Sequence, residues 1–439
     1  MSQTEGISFN RSKIPHGGWF KAWDVLAPFV VNVIGVVGAR NPKVKAAIRG
    51  RKDGLKTWRI GERNDLPVVL IHVASAGEFE GARPVVDRLI ATGKVNVAVS
   101  FSSPSAKPVV EATDGLWACG YLPLDYLLEQ LRFLTAIEPK VVLIFKHDFW
   151  PNMIRAASAL SIPIGLINAN FHSKTKRHWP ISASFHRSFM KYLSFVWTVS
   201  EDDSGRVNDL LGIGTELKAG GDTRYDRVLT RAEHGKIQFA GLKNQLASDR
   251  VIVAGSTWPP GEDIIWEAFA KLREREPRLK LVIAPHEPTA EAIARNRDKS
   301  AKYNLHIRLY SEIGESQIGE SVLLVDKIGI LSGLYSVGWA AYVGGGFGRG
   351  VHSVIEPAAH HLPVCFGHNH HVSHEASLLI AQKGGFVVRT ADDLIELWGG
   401  WLKGDNSYQT AADAAYLVVK DKAGVTERLM RKLSEYIEL

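Results

Sequence analysis

The sequence has little cysteine: Cys119 and Cys365 are the only two among 439 residues, and both lie in apolar surroundings. So few cysteines argue against a disulfide framework or a zinc site, and favour a reducing compartment. A G-x-x-x-x-G-K-[ST] loop is absent, and the glycine run at 344–350 fits G-x-G-x-x-G in no register. P-loop nucleotidases and dinucleotide oxidoreductases are therefore disfavoured.

Long apolar runs are also scarce. The uncharged run at 25–39 is shorter than the roughly 20 residues that span a bilayer, and Pro28, Asn32 and two glycines interrupt it. A charged, helix-like stretch at 41–52 follows where a signal-peptide cleavage site would stand. Two interpretations stay open: a buried helix, or an apolar patch that rests on the membrane interface or receives acyl chains.

Charge is distributed unevenly. The net charge is +7, yet residues 1–60 hold eleven Lys and Arg against three acidic residues, so the remaining chain is about neutral. A basic end of this kind could attract nucleic acid, an anionic lipid surface or a phosphorylated substrate. The length suits two domains of about 200 residues each.

Short apolar runs alternate with helical patterns from about residue 66, which predicts open α/β sheets with parallel strands. The predicted strands are 67–74, 95–101, 141–145, 163–169 and 195–200, then 250–256, 279–285, 306–311, 321–326, 340–346, 362–367 and 385–389. Helices are predicted at 79–92, 125–137, 150–160 and 182–192.

The boundary between the two series is expected in the stretch 220–241, which has little apolar periodicity. We therefore predict a basic and apolar segment facing a membrane or acceptor, then two Rossmann-like domains. These three parts are residues 1–60, 61–228 and 229–439. The final helical pattern, about 408–437, could pack back on the first domain.

Polar loops follow the predicted strands, where ligands of α/β sheets bind. Two of these loops share the spacing S-x-x-E, at Ser75 with Glu78 and at Ser353 with Glu356. That spacing is typical of a helix capping box, but it also holds a carboxylate at the ligand-binding edge of a sheet. Six histidines between 360 and 374 show no tight ligand spacing, so solvated loop histidines are favoured over a metal site.

Eight motifs together resemble the 3-deoxy-D-manno-octulosonic acid (Kdo) transferases, and they occur in that family's order between residues 72 and 367. The motifs are "HVASAGEFEGARPVVDRL" (72–89), "YLPLD" (121–125), "EPKVVLIFKHDFWPN" (138–152), "GDTRYDRV" (221–228), "AGSTWPPGED" (254–263), "IAPHEP" (283–288), "LLVDKIGILSGLY" (323–335) and "YVGGGFGRGVHSVIEPAAHHLPVCFG" (342–367).

The resemblance implies a GT-B fold, in which two doubly wound Rossmann-like domains face a central cleft. It implies an inverting glycosyltransferase that moves Kdo from CMP-Kdo to a lipid A precursor in lipopolysaccharide core biosynthesis. The family works at the cytoplasmic face of the bacterial inner membrane, as a peripheral or monotopic protein. The resemblance implies no metal, no cofactor and no nucleic-acid partner.

Site residues are likewise implied by the resemblance. Glu78 matches the general base, and Lys146 and Arg224 match positions near the reaction, where they would stabilise charge. The CMP-binding positions are Pro285, His286, Gly329, Ile330, Leu331, Ser353, Val354, Ile355 and Glu356. Further possible donor contacts are Ser256, Thr257, Gly346 and Gly348.

The chain departs from the family pattern at three of these motifs. His286 stands where Arg is common, Ser353 where Asn is common, and Asp148 where Glu is usual. A neutral His binds phosphate less strongly than Arg does, so the CMP contacts are the part most affected. Two alternatives remain: a GT-B transferase or sugar-nucleotide epimerase that uses a UDP or GDP sugar, or a catalytically lapsed homologue that binds nucleotide or lipid.

Overall fold

The computed structural model describes residues 14–62, 64–171, 180–313, 319–404 and 406–439. The described chain divides into two compact units. The first comprises the described residues up to Arg227 together with Ala423–Leu439, and the second comprises Val228–Lys422.

The first unit is built on an eight-stranded sheet in the order β1-β4-β3-β2-β5-β6-β7-β8. Its strands are β1 (Arg59–Ile60), β2 (Val68–Val73), β3 (Asn96–Phe101), β4 (Ala118–Tyr121), β5 (Pro139–Phe145), β6 (Ile164–Ala169), β7 (Phe195–Thr198) and β8 (Glu216–Ala219). Only the edge pair β1 and β4 is antiparallel among these described strands. All six residues of β2 are buried, as expected for a central parallel strand with helices on both faces.

Helices connect and cover these strands. They are α1 (Gly18–Val37), α2 (Pro42–Asp53), α3 (Ala76–Thr92), α4 (Ala106–Glu111), α5 (Leu127–Ile137), α6 (Pro151–Ala159), α7 (Pro180–Met190) and α8 (Glu201–Val207). Two hydrophobic cores lie on opposite faces of the sheet. Leu70 and Val142 belong to one core, whereas Ile71 and Val141 belong to the other, as the alternation of side chains along a strand requires.

The second unit has a seven-stranded sheet in the order β11-β12-β10-β9-β13-β14-β15, and every pair is parallel. Its strands are β9 (Arg250–Thr257), β10 (Leu279–Pro285), β11 (Ile307–Leu309), β12 (Val322–Leu324), β13 (Ala340–Val343), β14 (Val364–Gly367) and β15 (Gly385–Val388). Its helices, of which α9 begins in the first unit, are α9 (Arg224–Gln238), α10 (Ala240–Gln245), α11 (Pro259–Arg273), α12 (Ala290–Lys302), α13 (Leu331–Leu334), α14 (Ile355–Ala359), α15 (His374–Ala381), α16 (Ala391–Leu402) and α17 (Ser407–Lys420).

The end of the chain differs from the single helical pattern expected over 408–437. Helix α17 belongs to the second unit, whereas a separate helix, α18 (Val425–Leu433), belongs to the first. Gly424 has a φ of 78°, a backbone angle that glycine adopts without strain, and it separates the two helices. Leu429 and Leu433 of α18 are fully buried in the core that contains α3.

Other sequence expectations differ in detail. Each predicted strand corresponds to a strand of the structure, but β1, β4 and β8 were not predicted. β1 and β8 are exposed or partly exposed edge strands, and β4 is buried but only four residues long, so no continuous apolar run marks any of the three. The stretch 220–241, in which the boundary was expected, is largely the polar helix α9, and the two units divide within it between Arg227 and Val228.

Helix α1 carries an apolar outer face but is held to the first unit by polar contacts. Trp23 donates its indole N–H to Asp125 at 2.7 Å, and Arg155 pairs with Asp24 at 2.8 Å. Val25 and Phe29 are 74% and 66% exposed. Across the described residues, no helix combines the length and the apolar character needed to cross a bilayer.

Asp226 should be a structural cap for α18. Its carboxylate accepts hydrogen bonds from the backbone N–H of Gly424 at 2.5 Å and of Thr426 at 2.6 Å, which satisfies N–H groups at the start of the helix. We expect Asp226→Ala to lower the local stability of α18 by about 1–2 kcal/mol. Native-state amide exchange would show this as a roughly tenfold loss of protection. Exposed Asp209 is the matched control, because its replacement by Ala should leave α18 unchanged.

Candidate functional site

Glu78 lies in the first turn of α3, directly after the central strand β2. Ser75 is the N-cap of this helix, and its hydroxyl accepts a hydrogen bond from the Glu78 N–H at 3.4 Å. The Glu78 carboxylate turns back and accepts from the N–H of Ala74 at 2.6 Å. In a capping box the N–H that donates to this carboxylate would be that of the cap residue, Ser75, so the carboxylate here reaches one residue further back. It is thereby held at the end of β2 and stays half-exposed.

A hydrogen-bonded cluster lies beside Glu78 at the ends of β3 and β5. Asp148 Oδ2 accepts from Ser102 at 2.6 Å and is 2.9 Å from the Nε2 atom of His72. The other ring nitrogen of His72, Nδ1, is 2.9 Å from the Ser100 hydroxyl. His72 is fully buried, so these two contacts satisfy both ring nitrogens without water.

The electrostatics of the two carboxylates differ. Burial raises the pKa of Glu78, the Ala74 N–H opposes that rise, and the negative charge of Asp148 adds to it, while Lys146 and His72 lower it. Asp148 is also buried, which raises its pKa, but the bonds from His72 and Ser102 outweigh this and lower it to about 2. Asp148 therefore stays ionised at neutral pH, while Glu78 becomes a stronger base than an ordinary glutamate.

Lys146 follows β5 and has a φ of 60°, which is uncommon for a residue with a side chain. Its N–H donates to Ile167 O at 2.8 Å, so sheet pairing holds this conformation. The positive charge of Lys146 lowers the pKa of Glu78. The structure thus brings together Glu78 and Lys146, two of the three residues predicted near the reaction.

Arg224, the third, forms an ion pair with buried Asp222 at 2.7 Å. Asp222 and Thr223 bond to Asn168, and the Thr223 hydroxyl donates to Gly81 O of α3. This network fixes the start of α9 against the helix that carries Glu78. The Arg224 side chain is 42% exposed, so its outer face remains accessible.

In the second unit, the residues predicted to bind CMP follow the ends of four strands at one edge of the sheet. Ser256 and Thr257 end β9, Pro285 ends β10, Gly329 follows β12, and residues 344–356 follow β13. Parallel pairing places these strand ends side by side, because all four strands run in the same direction.

Three aromatic rings stack at this edge. His286 lies 5.0 Å from Trp258 and 4.3 Å from His352, with interplanar angles of 26° and 17°. The Trp258 indole N–H donates to His352 Nε2 at 3.0 Å. Burial, and then the neighbouring His286, lower the pKa of His352. Trp258 and His352 were not predicted as site residues. Each is next to a predicted contact in the sequence, and that position could have indicated them.

Several predicted donor contacts need correction. Thr257 is 2% exposed and its hydroxyl donates to Glu262, which is fully buried and pairs with Arg295, so the Thr257 side chain is not available to a ligand. Other side chains are buried too, so only their main chain could reach a ligand; these residues are Pro285, Ile330, Val354 and Ile355. Leu331 is half-buried, whereas His286, Gly329, Gly348 and Ser353 are exposed.

Two backbone features also bear on this edge. Ser256 has a φ of 51°, an uncommon angle for serine. A Cβ atom at Gly346 would lie 2.6 Å from the backbone nitrogen of Gly367, so packing already requires glycine there. Packing therefore explains this glycine, and its presence does not indicate contact with a ligand.

The predicted cap at Ser353 and Glu356 is wrong. Helix α14 begins at Ile355 with Val354 as its N-cap, and no side chain caps it. Glu356 remains half-buried, and its charge contributes to the raised pKa of the buried Tyr335 hydroxyl.

The histidines between 360 and 374 have separate environments. His360 Nε2 is 2.8 Å from Ser332 O, and burial lowers the pKa of its ring to about 4. His361 stacks on Tyr416 with ring centroids 3.5 Å apart. Among the described residues, no three His, Cys, Asp or Glu side chains are placed to hold a metal ion.

Comparison with known proteins points to one family. The model described as 3-deoxy-D-manno-octulosonic-acid transferase (kdotransferase) matches residues 49–227, which include Glu78, Lys146 and Arg224. A 3-deoxy-D-manno-octulosonic acid transferase of Haemophilus influenzae is 25% identical over 424 residues, 94% of this chain and 97% of the relative. Residues 49–227 thus match the Kdo transferase family, and the chain resembles curated Kdo transferases over most of its length. It is therefore a glycosyltransferase of lipopolysaccharide biosynthesis.

Further relatives agree with this assignment. The Kdo transferase of Aquifex aeolicus is 26% identical over 332 residues, 74% of this chain and 83% of the relative. Among solved structures, UDP-GlcNAc 2-epimerase of Neisseria meningitidis matches with a TM-score of 0.59 at 16% identity, covering 84% of this chain and all of that one. At that identity the match shows the fold alone, and it confirms the predicted GT-B class of the Kdo transferase chain.

Asp148 should contribute pH-dependent stability to the Kdo transferase. Its pKa of about 2 in the folded state, against 3.8 normally, corresponds to about 2 kcal/mol at neutral pH. Because the folded pKa is the lower one, this stabilisation is present above about pH 4 and is lost as pH falls towards 2. We expect Asp148→Asn to be less stable than wild type at pH 7, with the difference shrinking over that interval. Urea unfolding across pH would measure it.

The control is Asp202→Asn, since Asp202 is 83% exposed. Its stability should follow wild type at every pH. A constant difference between Asp148→Asn and wild type down to pH 2 would contradict the assigned charge state.

Proposed function

We propose that this Kdo transferase moves Kdo from CMP-Kdo to a lipid A precursor with inversion at the anomeric carbon. The observation that carries the proposal is the Glu78 carboxylate, held at the end of β2 by Ala74 N–H and made more basic by burial and by Asp148. A half-exposed carboxylate at a strand end can accept a proton from a bound hydroxyl group.

In the proposed reaction, an acceptor hydroxyl oxygen attacks the anomeric carbon while its proton passes to the Glu78 carboxylate. The bond from that carbon to the phosphate oxygen breaks, and CMP leaves with the electron pair. A single displacement of this kind inverts the configuration. Lys146 carries a positive charge that acts on Glu78. Arg224 lies at the start of α9, which the Thr223 hydroxyl fixes against α3. Both cations would stabilise the anionic groups of the reactants.

The second unit supplies the proposed donor site. Its strand ends present the exposed ring of His286 and the free main chain around Gly329. Glu356 offers two oxygens that could accept hydrogen bonds from a ribose diol. His286 replaces the more strongly phosphate-binding Arg, and its stacking on Trp258 and His352 would hold the ring in place.

We also propose that the protein acts as a peripheral protein at the cytoplasmic face of the inner membrane. The exposed apolar side chains of α1 include Val25, Phe29 and Val36. Helix α2 next to it has exposed basic side chains at Lys43, Lys45, Arg49 and Lys52. An apolar face beside basic residues favours the interface of an anionic membrane.

Replacing Glu78 by Gln should lower kcat by about 10²–10⁴-fold, because the isosteric amide cannot accept the proton. The assay is transfer of Kdo from CMP-Kdo to a tetraacylated lipid A precursor. Glu80→Gln is the matched control: Glu80 lies two residues along α3 and pairs with Arg227 at 3.2 Å, so kcat should change little.

Two results would count against these assignments. Transfer by wild type from a UDP or GDP sugar, with none from CMP-Kdo, would favour the alternative donor class. A Glu78→Gln variant as active as wild type would remove Glu78 from the role of base.

Membrane association is tested by placing charge on the outer face of α1. We expect Val25→Glu with Phe29→Glu to weaken binding to vesicles of phosphatidylcholine and phosphatidylglycerol by roughly tenfold or more, since two apolar side chains no longer enter the interface. Binding of wild type should also fall with added salt. Substitution is preferable to deleting α1, because Trp23 and Asp24 attach this helix to the first unit.

Ile213→Glu provides the control, since Ile213 is an exposed apolar residue of the first unit outside α1. Equal vesicle binding by wild type and the α1 variant would refute the proposed attachment.

A further inference from the structure

A cavity of about 270 Å³ lies in the first unit between α1 and α2. Its apolar part is formed by Ala27, Val30 and Val31 of α1 and by Val44, Ala47 and Ile48 of α2. The volume exceeds the about 150 Å³ of an apolar cavity known to hold benzene. The cavity is therefore large enough for part of an aliphatic chain.

The other end of the cavity is polar and contains Arg51. The guanidinium lies 3.6 Å from the ring centre of Trp150 and donates to Leu122 O and Pro123 O, both at 3.2 Å. No carboxylate among the described residues lies within ion-pair distance of it. Because a guanidinium has five N–H donors, Arg51 can bind further oxygen atoms.

This polar end is continuous with the cluster at the candidate base. Ser102 lines the cavity and donates its hydroxyl proton to Asp148 at 2.6 Å. The negative charge of Asp148 in turn raises the pKa of Glu78. A ligand with an apolar chain and an oxygen-rich head would place that head towards the residues proposed to activate the acceptor hydroxyl.

We propose that this cavity is the subsite for one acyl chain of the acceptor, with Arg51 binding the oxygen atoms at the head of that chain. This rests on the proposed function, in which the acceptor is an acylated sugar. The acceptor is preferred over a bilayer lipid because only the acceptor must bring a hydroxyl group to Glu78. The bond from Trp23 to Asp125, both of which line the cavity, keeps α1 in place along it.

The test fills the cavity from α2. Ala47 lines it, whereas its neighbour Ala46 is exposed, so Ala47→Phe and Ala46→Phe add the same bulk to the same helix. We expect Ala47→Phe to raise the KM for the tetraacylated acceptor by about tenfold or more, because several methylene groups lose their burial. The KM for CMP-Kdo and the thermal midpoint should not change. Ala46→Phe should match wild type in all three measurements.

A second pair of variants tests the polar end. Arg51→Gln should raise the acceptor KM, while Lys56→Gln, at an exposed position just after α2, does not. Because Arg51 also binds two backbone carbonyls, the donor KM and the thermal midpoint separate acceptor binding from a structural defect.

The outcomes distinguish the two proposals. If wild type transfers Kdo but Ala47→Phe leaves the acceptor KM unchanged, the acyl subsite is wrong and the proposed reaction stands. The subsite is also wrong if donor and acceptor KM rise together. If wild type transfers no Kdo to the acylated acceptor, the proposed function fails and the subsite fails with it.

Discussion

Parallel pairing of β2 with β3 and β5 is the constraint on which the candidate site depends. The three strands run in one direction, so their carboxyl ends meet at one edge of the sheet. Each end then supplies a different group: Glu78 after β2, Ser102 after β3 and Asp148 after β5. Their separation along the chain is large, yet the register of the sheet places them together. Loop sequences can vary while the edge stays fixed, since the buried apolar strands determine its position.

The buried ring of His72 connects the packing of β2 with the charges at this edge of the sheet. A histidine near the end of a fully buried strand needs partners for both ring nitrogens, and Ser100 and Asp148 supply them. The same bond keeps Asp148 ionised next to Glu78, whose pKa rises as a result of burial and of that charge. One buried polar cluster therefore serves both the packing of β2 and the basicity of Glu78.

The sequence predicted the long buried strands well, because continuous apolar runs and parallel central strands coincide. It missed the edge strands β1 and β8, the buried four-residue strand β4, which contains a glycine, and the polar helix α9. For the site, the family resemblance supplied Glu78 and Lys146. The resemblance could not show which side chains are buried. Thr257 and Ile355 lie in or beside polar loops of the sequence, yet tertiary packing buries both. His352 was missed because only the fold stacks it on His286.

The two S-x-x-E sequences show why spacing alone does not assign a role. At Ser75 the spacing forms a cap, yet the Glu78 carboxylate reaches past the cap residue to Ala74 and remains half-exposed. At Ser353 no cap forms, because α14 begins at Ile355, one residue later than the spacing requires. Glu356 therefore does not form the reciprocal bond of a capping box, although it lies in the first turn of the helix. A carboxylate can therefore serve as cap, base or ligand according to which backbone N–H groups lie within its reach, and the fold of the surrounding strands decides this.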